Sequence, residues 1–234
     1  MDVANVRFGW RKDWEDKRDF SARRFIVAEF PLPKTYRVNP STFIYNQGMH
    51  PACVGYASAG VKTDEEFLQH HAGYMFDGLW LYQECKKVDG IPLLDGTYPR
   101  VALKIMQDQG MKQLTIPCRK PPWPVSFWKI KAYFRIEPDS TVDFVKQVIF
   151  QYGSILAASN WYNSWMSVKG VFPAPDTVSG GHAYRICGWN ETGFIVVNSW
   201  GKVLWGDNGI ATMPYDMFMQ YVLPQGDVWK LIDA

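Results

Sequence analysis

Residues 46–60 read Asn-Gln-Gly-Met-His-Pro-Ala-Cys-Val-Gly-Tyr-Ala-Ser-Ala-Gly, and the reading of the fold starts from them. From Cys53 onward the run is small and mostly apolar, which is typical of a buried helix. Pro51 marks the helix start. Because the amides and the positive dipole end of a helix start favour thiolate over thiol, Cys53 is a candidate nucleophile. The position also fits an ordinary small buried residue.

Outward from this helix, the patterns predict helices in the first half of the chain and strands in the second. Helices are expected over 74–87 and over 98–109, the latter ended by Gly110. A proline-rich hinge over 117–124 is expected to separate the halves. Beyond it we predict a strand over 131–136 and a helix that begins at Ser140 and ends before Gly153. Further strands are predicted over 154–158, 183–189, 194–198 and 209–213.

This order predicts an α+β fold with a helical lobe, a strand-rich lobe and a ligand cleft between them. The 234 residues fit one domain, 1–234. Within it we expect an extended lead-in over 1–48, the helical lobe over about 49–125, the strand-rich lobe over about 126–222 and a C-terminal tail over 223–234. Fourteen Phe, 11 Trp and 12 Tyr supply a large aromatic core, with some rings left to line a groove.

The charge pattern excludes several classes of partner. Lys and Arg number 25 against 23 Asp and Glu, so there is no basic surface for nucleic acid. No apolar run approaches the roughly 18 residues of a membrane span, so no membrane partner is expected. Residues 1–20 contain no apolar core of a signal peptide. The localisation is left unknown, and the oligomeric state is not predicted.

Four cysteines, Cys53, Cys85, Cys118 and Cys187, are too few for a disulfide scaffold and form no C-x-x-C pair. His70 and His71 have no cysteine or carboxylate at ligand spacing and are predicted to be solvated. His50 precedes the helix and is not favoured as a base. We therefore predict no metal site and no cofactor.

A nucleophilic thiol needs a base and an orienting group. His182 lies in Gly180-Gly181-His182-Ala183 at the head of an apolar strand, where the glycines leave room for a substrate backbone. Asn198 follows the strand 194–197 and precedes Ser199-Trp200-Gly201. Its amide can bond the imidazole while Trp200 keeps water away. The alternative is an ordinary turn asparagine.

Together these blocks resemble the papain-like cysteine peptidases, the C1 family. Gln47 six residues before Cys53, the block around His182, and Asn198-Ser199-Trp200-Gly201 with Trp205-Gly206-Asp207-Asn208-Gly209 occur in the family's order. His182 and Asn198 follow Cys53 at near the roughly 130–150 residues expected. Further likeness, over about residues 9–222, is to bacterial members without a long inhibitory prodomain.

The resemblance implies a helical lobe and a β-barrel-like lobe that bring Cys53, His182 and Asn198 together in the cleft. It implies peptide hydrolysis through an acyl-enzyme on Cys53, a Cys53–His182 ion pair, and an oxyanion hole formed by Gln47 and the Cys53 amide. Gly180, Gly181, Trp200 and Trp205 are the predicted substrate-binding residues. The implied partners are a protein or peptide substrate and a proteinaceous inhibitor.

The sequence also departs from the family. His50 replaces the usual cysteine three residues before the nucleophile, so that disulfide cannot form, which favours a reducing compartment. Val54 replaces the usual tryptophan after the nucleophile. These changes leave two alternatives open: a catalytically silent binding module, or an acyltransferase that uses the same Cys-His pair. The lead-in is predicted to be a structural strap anchored by Trp10, Trp14 and Phe20, and also a candidate to cover part of the cleft.

Overall fold

A computed structural model describes residues 6–26, 28–39, 43–71, 73–114 and 126–233. The α+β class predicted from the sequence is confirmed. The helices are α1 Cys53–His70, α2 Gly78–Val88, α3 Pro99–Asp108, α4 Val142–Tyr152, α5 Gly201–Leu204 and α6 Tyr215–Met217, the last continuing into a π-helical turn, Phe218–Val222. The strands are β1 Tyr36–Arg37, β2 Met111–Lys112, β3 Phe127–Trp128, β4 Ile130–Arg135, β5 Ile155–Tyr162, β6 Val178–Trp189, β7 Gly193–Val197, β8 Ile210–Pro214 and β9 Asp227–Asp233.

Helix α1 is the centre of the helical lobe. Its small residues allow close packing: a Cβ on Gly55 would lie 2.2 Å from the carbonyl oxygen of Gly78, where α2 begins. Helix α1 runs to His70, ten residues beyond the apolar run, and ends at His71 in the left-handed conformation. The sequence pattern missed this second half because it is charged, yet buried.

Those buried charges join α1 to the other lobe. Lys62 contacts Glu66 and Asp233, and Lys230 of β9 contacts Glu65. The guanidinium of Arg185, on β6, lies 3.4 Å from Asp64. A buried charge is tolerated when it is paired with an opposite charge, and here the paired charges come from both lobes.

The second lobe is an antiparallel sheet in the order β4-β9-β5-β6-β7-β8, with β1 paired to β6. Its core is rich in aromatic residues from both faces of the strands and from α4. Helix α4 begins after Thr141, whose side chain accepts the N–H of Phe144 at 3.1 Å, and ends at Gly153 with φ of 94°. The N-cap is therefore Thr141 and not Ser140.

Three predicted boundaries need correction. Residues 223–234 are not a tail, because β9 pairs with both β4 and β5 inside the sheet. Strand β3, Phe127–Trp128, pairs with β2, so the helical lobe extends past residue 125. Strand β6 begins at Val178 rather than Ala183, so the glycine pair lies within the strand. The predicted 117–124 hinge lies outside the described residues.

The first described part of the lead-in lies between the lobes, and the chain then passes around the sheet. It bridges to Arg135 through Ser21 and then forms β1 on the edge of β6. Trp14 and Phe20, predicted as packing anchors, are more than half exposed. Of the three predicted anchors, Trp10 is the one whose backbone segment is hydrogen-bonded to both sides of the cleft.

Among the described helices we find none with the length and apolar character needed to cross a bilayer.

Candidate active site

Cys53 begins α1 and lies at the junction of the lobes. Its side chain is fully buried, and the main-chain amides of Ala183 and Gly9 interact with the thiol. Ala183 directly follows His182 on β6. The first N–H groups of a helix have no partner within the helix, so the Cys53 amide is available to an anionic oxygen.

His182 is oriented by Asn198. Its Nε2 lies 2.8 Å from Oδ1 of Asn198, and that oxygen also accepts the main-chain N–H of Ser199 at 2.7 Å. Because an amide oxygen carries no hydrogen and can only accept, Nε2 carries the imidazole proton in this bond. Nδ1 is buried and has no hydrogen-bond partner among the described residues. In the neutral ring, Nδ1 is thus free to accept a proton.

Two indoles enclose the imidazole. The ring centroids of Trp161 and Trp200 lie 4.7 and 4.8 Å from that of His182. Trp161, on β5, could not be recognised from the sequence, because only the pairing of β5 with β6 brings it beside His182. Trp200 and Trp205, predicted to bind substrate, are each 1% exposed. We correct that prediction: Trp200 shields the His182–Asn198 bond, and Trp205 donates to the carbonyl of Trp165 in the core.

Gln47 is held by the segment that follows Asn198. Its main-chain N–H donates to the Ser199 carbonyl at 2.8 Å, and its Oε1 accepts the Ser199 hydroxyl at 2.7 Å. These bonds aim the amide nitrogen, which donates to the carbonyls of His50 at 2.9 Å and Arg7 at 3.4 Å. A side-chain amide fixed in this way can donate to a carbonyl oxygen in the cleft.

Residues 7–13, here called the strap, lie across the cleft. The Gly9 carbonyl accepts the N–H of Thr97 at 3.0 Å on the helical lobe. The N–H of Trp10 donates to the carbonyl of Gly181 at 3.0 Å on the other lobe. The strap therefore bridges both walls of the cleft at the position of the candidate residues.

Three glycines make room for the strap. A Cβ on Gly180 would lie 2.4 Å from the ring of Phe8, and one on Gly181 would lie 2.6 Å from the ring of Trp10. A Cβ on Gly9 would lie 2.0 Å from the carbonyl oxygen of Pro51. The space predicted for a substrate beside Gly180 and Gly181 is filled by the protein's own residues. The sequence signal for this occupancy was Phe8-Gly9-Trp10, a glycine between two aromatic residues, and the sequence-based prediction did not take it into account.

The far end of the strap is anchored by Asp13. Its main-chain N–H donates to Asp227 at 2.8 Å, and its carboxylate accepts the indole N–H of Trp229 at 2.9 Å and the main-chain N–H of Arg100 at 3.2 Å. Burial, and then the charge of Asp227, raise the pKa of Asp13 to about 7.

The sequence model of the papain family of cysteine proteases matches residues 82–221, which include His182 and Asn198. The chain belongs to this family.

A cathepsin B-like cysteine proteinase of Schistosoma japonicum is 27% identical over 124 residues, which cover 50% of this chain and 35% of that protein. The match thus spans about a third of that relative's length. Xylellain, a cysteine protease from Xylella fastidiosa, superimposes with a TM-score of 0.80 at 23% identity, over 98% of this chain and 97% of its own. ProCathepsin B S9 from Trypanosoma congolense gives 0.75 at 16% identity, over 100% and 89%. At these identities the solved structures support the papain-like fold.

In this papain-family chain, burial acts against the charged form of both candidate reacting groups. It raises the pKa of the Cys53 thiol to about 11 and lowers the pKa of His182 to about 4 despite its bond to Asn198. Both charged forms lose hydration on burial. The closed arrangement therefore disfavours the Cys53–His182 ion pair, which stays a prediction of the sequence.

The remaining candidates lie away from this site. Cys85 and Cys187 are free and buried, and burial raises their pKa to about 12 and about 11. Cys118 lies outside the described residues. His50, His70 and His71 are exposed. In the described part of the chain, no three His, Cys, Asp or Glu side chains are grouped as metal ligands.

Proposed function

We propose that this chain is a cysteine peptidase that hydrolyses peptide bonds and that the described arrangement is its latent form. The observation that carries the proposal is His182: Asn198 holds Nε2, the buried Nδ1 has no partner among the described residues, and the main-chain amide of the next residue, Ala183, interacts with the Cys53 thiol. An oriented imidazole next to a thiol at a helix start is the arrangement needed for nucleophilic catalysis.

The chemistry follows from these groups once residues 7–10 leave the cleft. Nδ1 of His182 takes the proton of the Cys53 thiol, and the thiolate attacks the substrate carbonyl carbon. The Gln47 amide and the Cys53 main-chain N–H donate to the resulting oxyanion. The imidazolium returns the proton to the leaving amine, and water, deprotonated by His182, then releases the acyl group.

The strap supports latency because it uses the same groups. The Arg7 carbonyl accepts from the Gln47 amide, and the Trp10 N–H takes the Gly181 carbonyl next to His182. A substrate backbone must replace these bonds before it reaches Cys53.

Trp10→Ala, which loosens the strap, provides the background for the test. We expect this variant to cleave a mixed peptide library, and the double variant Trp10→Ala/Cys53→Ser to cleave nothing while it retains the same circular dichroism spectrum. Equal cleavage by both proteins would refute Cys53 as nucleophile.

One observation favours a second candidate, a binding module without catalysis. Cys53 and His182 are both fully buried, and burial disfavours the charged form of each. If the Trp10→Ala protein exposes Cys53 to alkylation and still cleaves no peptide, the binding module replaces the peptidase. An acyltransferase would instead transfer the acyl group to an added amine in that assay.

A further inference from the structure

Trp10 fills the part of the cleft next to the thiol position. Gly9 lies against the carbonyl of Pro51 and the amide of Ala52, directly before Cys53. The next residue, Trp10, has its backbone on Gly181 and its ring over the same glycine. Its indole also packs against the core of the helical lobe. The strap thus places one residue over the nucleophile and the following side chain in an adjoining pocket.

The floor of this pocket is a buried carboxylate. Oδ2 of Asp227 accepts the indole N–H of Trp10 at 2.9 Å and the main-chain N–H of Asp13 at 2.8 Å. Oδ1 accepts from the guanidinium of Arg135 at 2.8 Å. Asp227 is fully buried, so each of these donors replaces water that the carboxylate has lost.

We propose that the space now filled by Trp10 is a substrate-specificity subsite, in which Asp227 recognises a tryptophan side chain through its indole N–H. The proposal rests on the proposed peptidase function and names the substrate class for that site. Trp10 acts as the internal occupant, and a substrate indole takes its place when the strap leaves.

The selectivity follows from what an occupant must supply. When Trp10 leaves, Oδ2 of Asp227 loses a donor in a buried place, so a phenylalanine or leucine side chain would leave that bond unmade. Sites built around a hydrogen bond discriminate strongly against analogues that lack the group. Arginine also donates N–H, but its charge would approach Arg135, which already pairs with the carboxylate, and Arg100, which lies over the neighbouring Trp229. An uncharged donor on a flat ring fits best.

A matched pair of small probes tests the pocket without any need for catalysis. Trp10→Ala should be stabilised by 3-methylindole, which has the shape of the missing side chain, with a rise in Tm that saturates with concentration. Its N-methylated analogue, 1,3-dimethylindole, keeps the ring and lacks the donor, and it should bind at least about tenfold more weakly. Equal binding of the two probes, or binding of neither, would overturn the proposal.

Trp10→Phe covers the case in which Trp10→Ala does not fold. It keeps an aromatic ring and removes the donor to Asp227. We expect iodoacetamide to label its Cys53 about tenfold faster than in the wild type, the effect of one lost hydrogen bond of about 1.4 kcal/mol. An unchanged rate would mean that Asp227 does not recognise the indole.

Substrate preference separates this inference from the function on which it rests. In the Trp10→Ala protein, peptides that differ at a single residue near the scissile bond should be cleaved at least about tenfold faster with Trp than with Phe or Arg at one position. Cleavage without that preference refutes the subsite and leaves the peptidase standing. Absence of all cleavage, with 3-methylindole still bound selectively, refutes the peptidase and leaves the pocket standing.

Discussion

The main-chain N–H of Trp10 donates a 3.0 Å hydrogen bond to the carbonyl of Gly181, the residue directly before His182. Through this bond the first described segment of the chain lies against the strand that carries the candidate base. On the other side the Gly9 carbonyl accepts from Thr97. The strap is therefore part of both lobes, and its removal is the condition for access to Cys53.

Loosening the strap should expose Cys53 to alkylation at pH 6. Loss of the Trp10 side chain removes about 2 kcal/mol of apolar contact and a hydrogen bond to Asp227 of about 1.4 kcal/mol, which together raise the open population roughly 300-fold. The labelling rate tracks that population when opening is fast. Peptide mapping after iodoacetamide treatment of Trp10→Ala and wild type measures the ratio at Cys53.

Trp14→Ala is the matched control for this experiment, because Trp14 lies in the lead-in and is 53% exposed. Its Cys53 should react at the wild-type rate. If the wild type already labels Cys53 as fast as Trp10→Ala does, the strap does not protect the thiol.

The closed thiol should also show its raised pKa directly. Because burial raises the pKa of Cys53 to about 11, the thiolate fraction in the closed form grows with pH up to that value. The ultraviolet absorbance of the thiolate, measured as wild type minus Cys53→Ser, should therefore rise continuously from pH 6 to pH 10. A plateau that begins near pH 6 would show that the ion pair with His182 exists under the strap.

Asp13 should make the protein less stable as the pH rises. Its pKa is raised from 3.8 to about 7, so the folded state holds a proton that the unfolded state has released. The stabilisation is complete below pH 3.8 and is lost as the pH rises through 7. We expect the Tm of the wild type to fall between pH 5 and pH 8 by more than that of Asp13→Asn.

Three groups in contact with Asp13 influence its pKa: Asp227 on β9, Arg100 on α3, and the indole of Trp229. Asp143→Asn, at an exposed carboxylate, serves as control and should follow the wild-type pH profile. Parallel profiles for Asp13→Asn and wild type would mean that Asp13 carries no shifted proton.

Gln47→Ala should lower turnover more than substrate affinity. The Gln47 amide is aimed by Ser199, and loss of one oxyanion donor costs about 3–4 kcal/mol of barrier, or roughly 10²–10³ in kcat. Steady-state kinetics in the Trp10→Ala background measure kcat and KM separately. Gln109→Ala, at an exposed glutamine directly after α3, should leave both unchanged, and full turnover in Gln47→Ala would refute the oxyanion role.

Arg185 should be essential for stability, because it ties α1 to the strand of His182. Its guanidinium donates to the carbonyls of Gly60 at 2.6 Å and Phe43 at 2.5 Å and lies 3.4 Å from Asp64. Arg185→Met leaves that buried carboxylate without its cation and should cost about 3–5 kcal/mol in urea unfolding. Arg18→Ala, at an exposed ion pair, should show no measurable change, and a similar result for Arg185→Met would contradict this account.

The fold class could be predicted from the sequence because helical and strand periodicities are local properties. The order of Gln47, Cys53, His182 and Asn198 could be predicted because it resembles that of the papain-like family. The second half of α1 could not, since its buried charges are explained by partners such as Asp233 and Lys230, more than 150 residues away. The same holds for β9, which reads as a tail until its pairing with β4 and β5 is known.

Cover of part of the cleft by the lead-in could be anticipated from the sequence, but the contacts of the strap could not. Its aromatic residues were expected to pack somewhere, but which surface they contact depends on the two lobes meeting. The buried positions of Trp200 and Trp205 have the same origin, because both rings pack against Trp161 of β5 once the strands have paired.

The most direct test is hydrolysis of one fluorogenic peptide mixture by three full-length proteins: the wild type, Trp10→Ala and Trp10→Ala/Cys53→Ser. We predict low activity in the wild type, a rise of roughly 300-fold in Trp10→Ala to match the greater exposure of Cys53, and none above background in the double variant. Activity in Trp10→Ala no higher than in the wild type, or activity that survives loss of the thiol, would contradict the account.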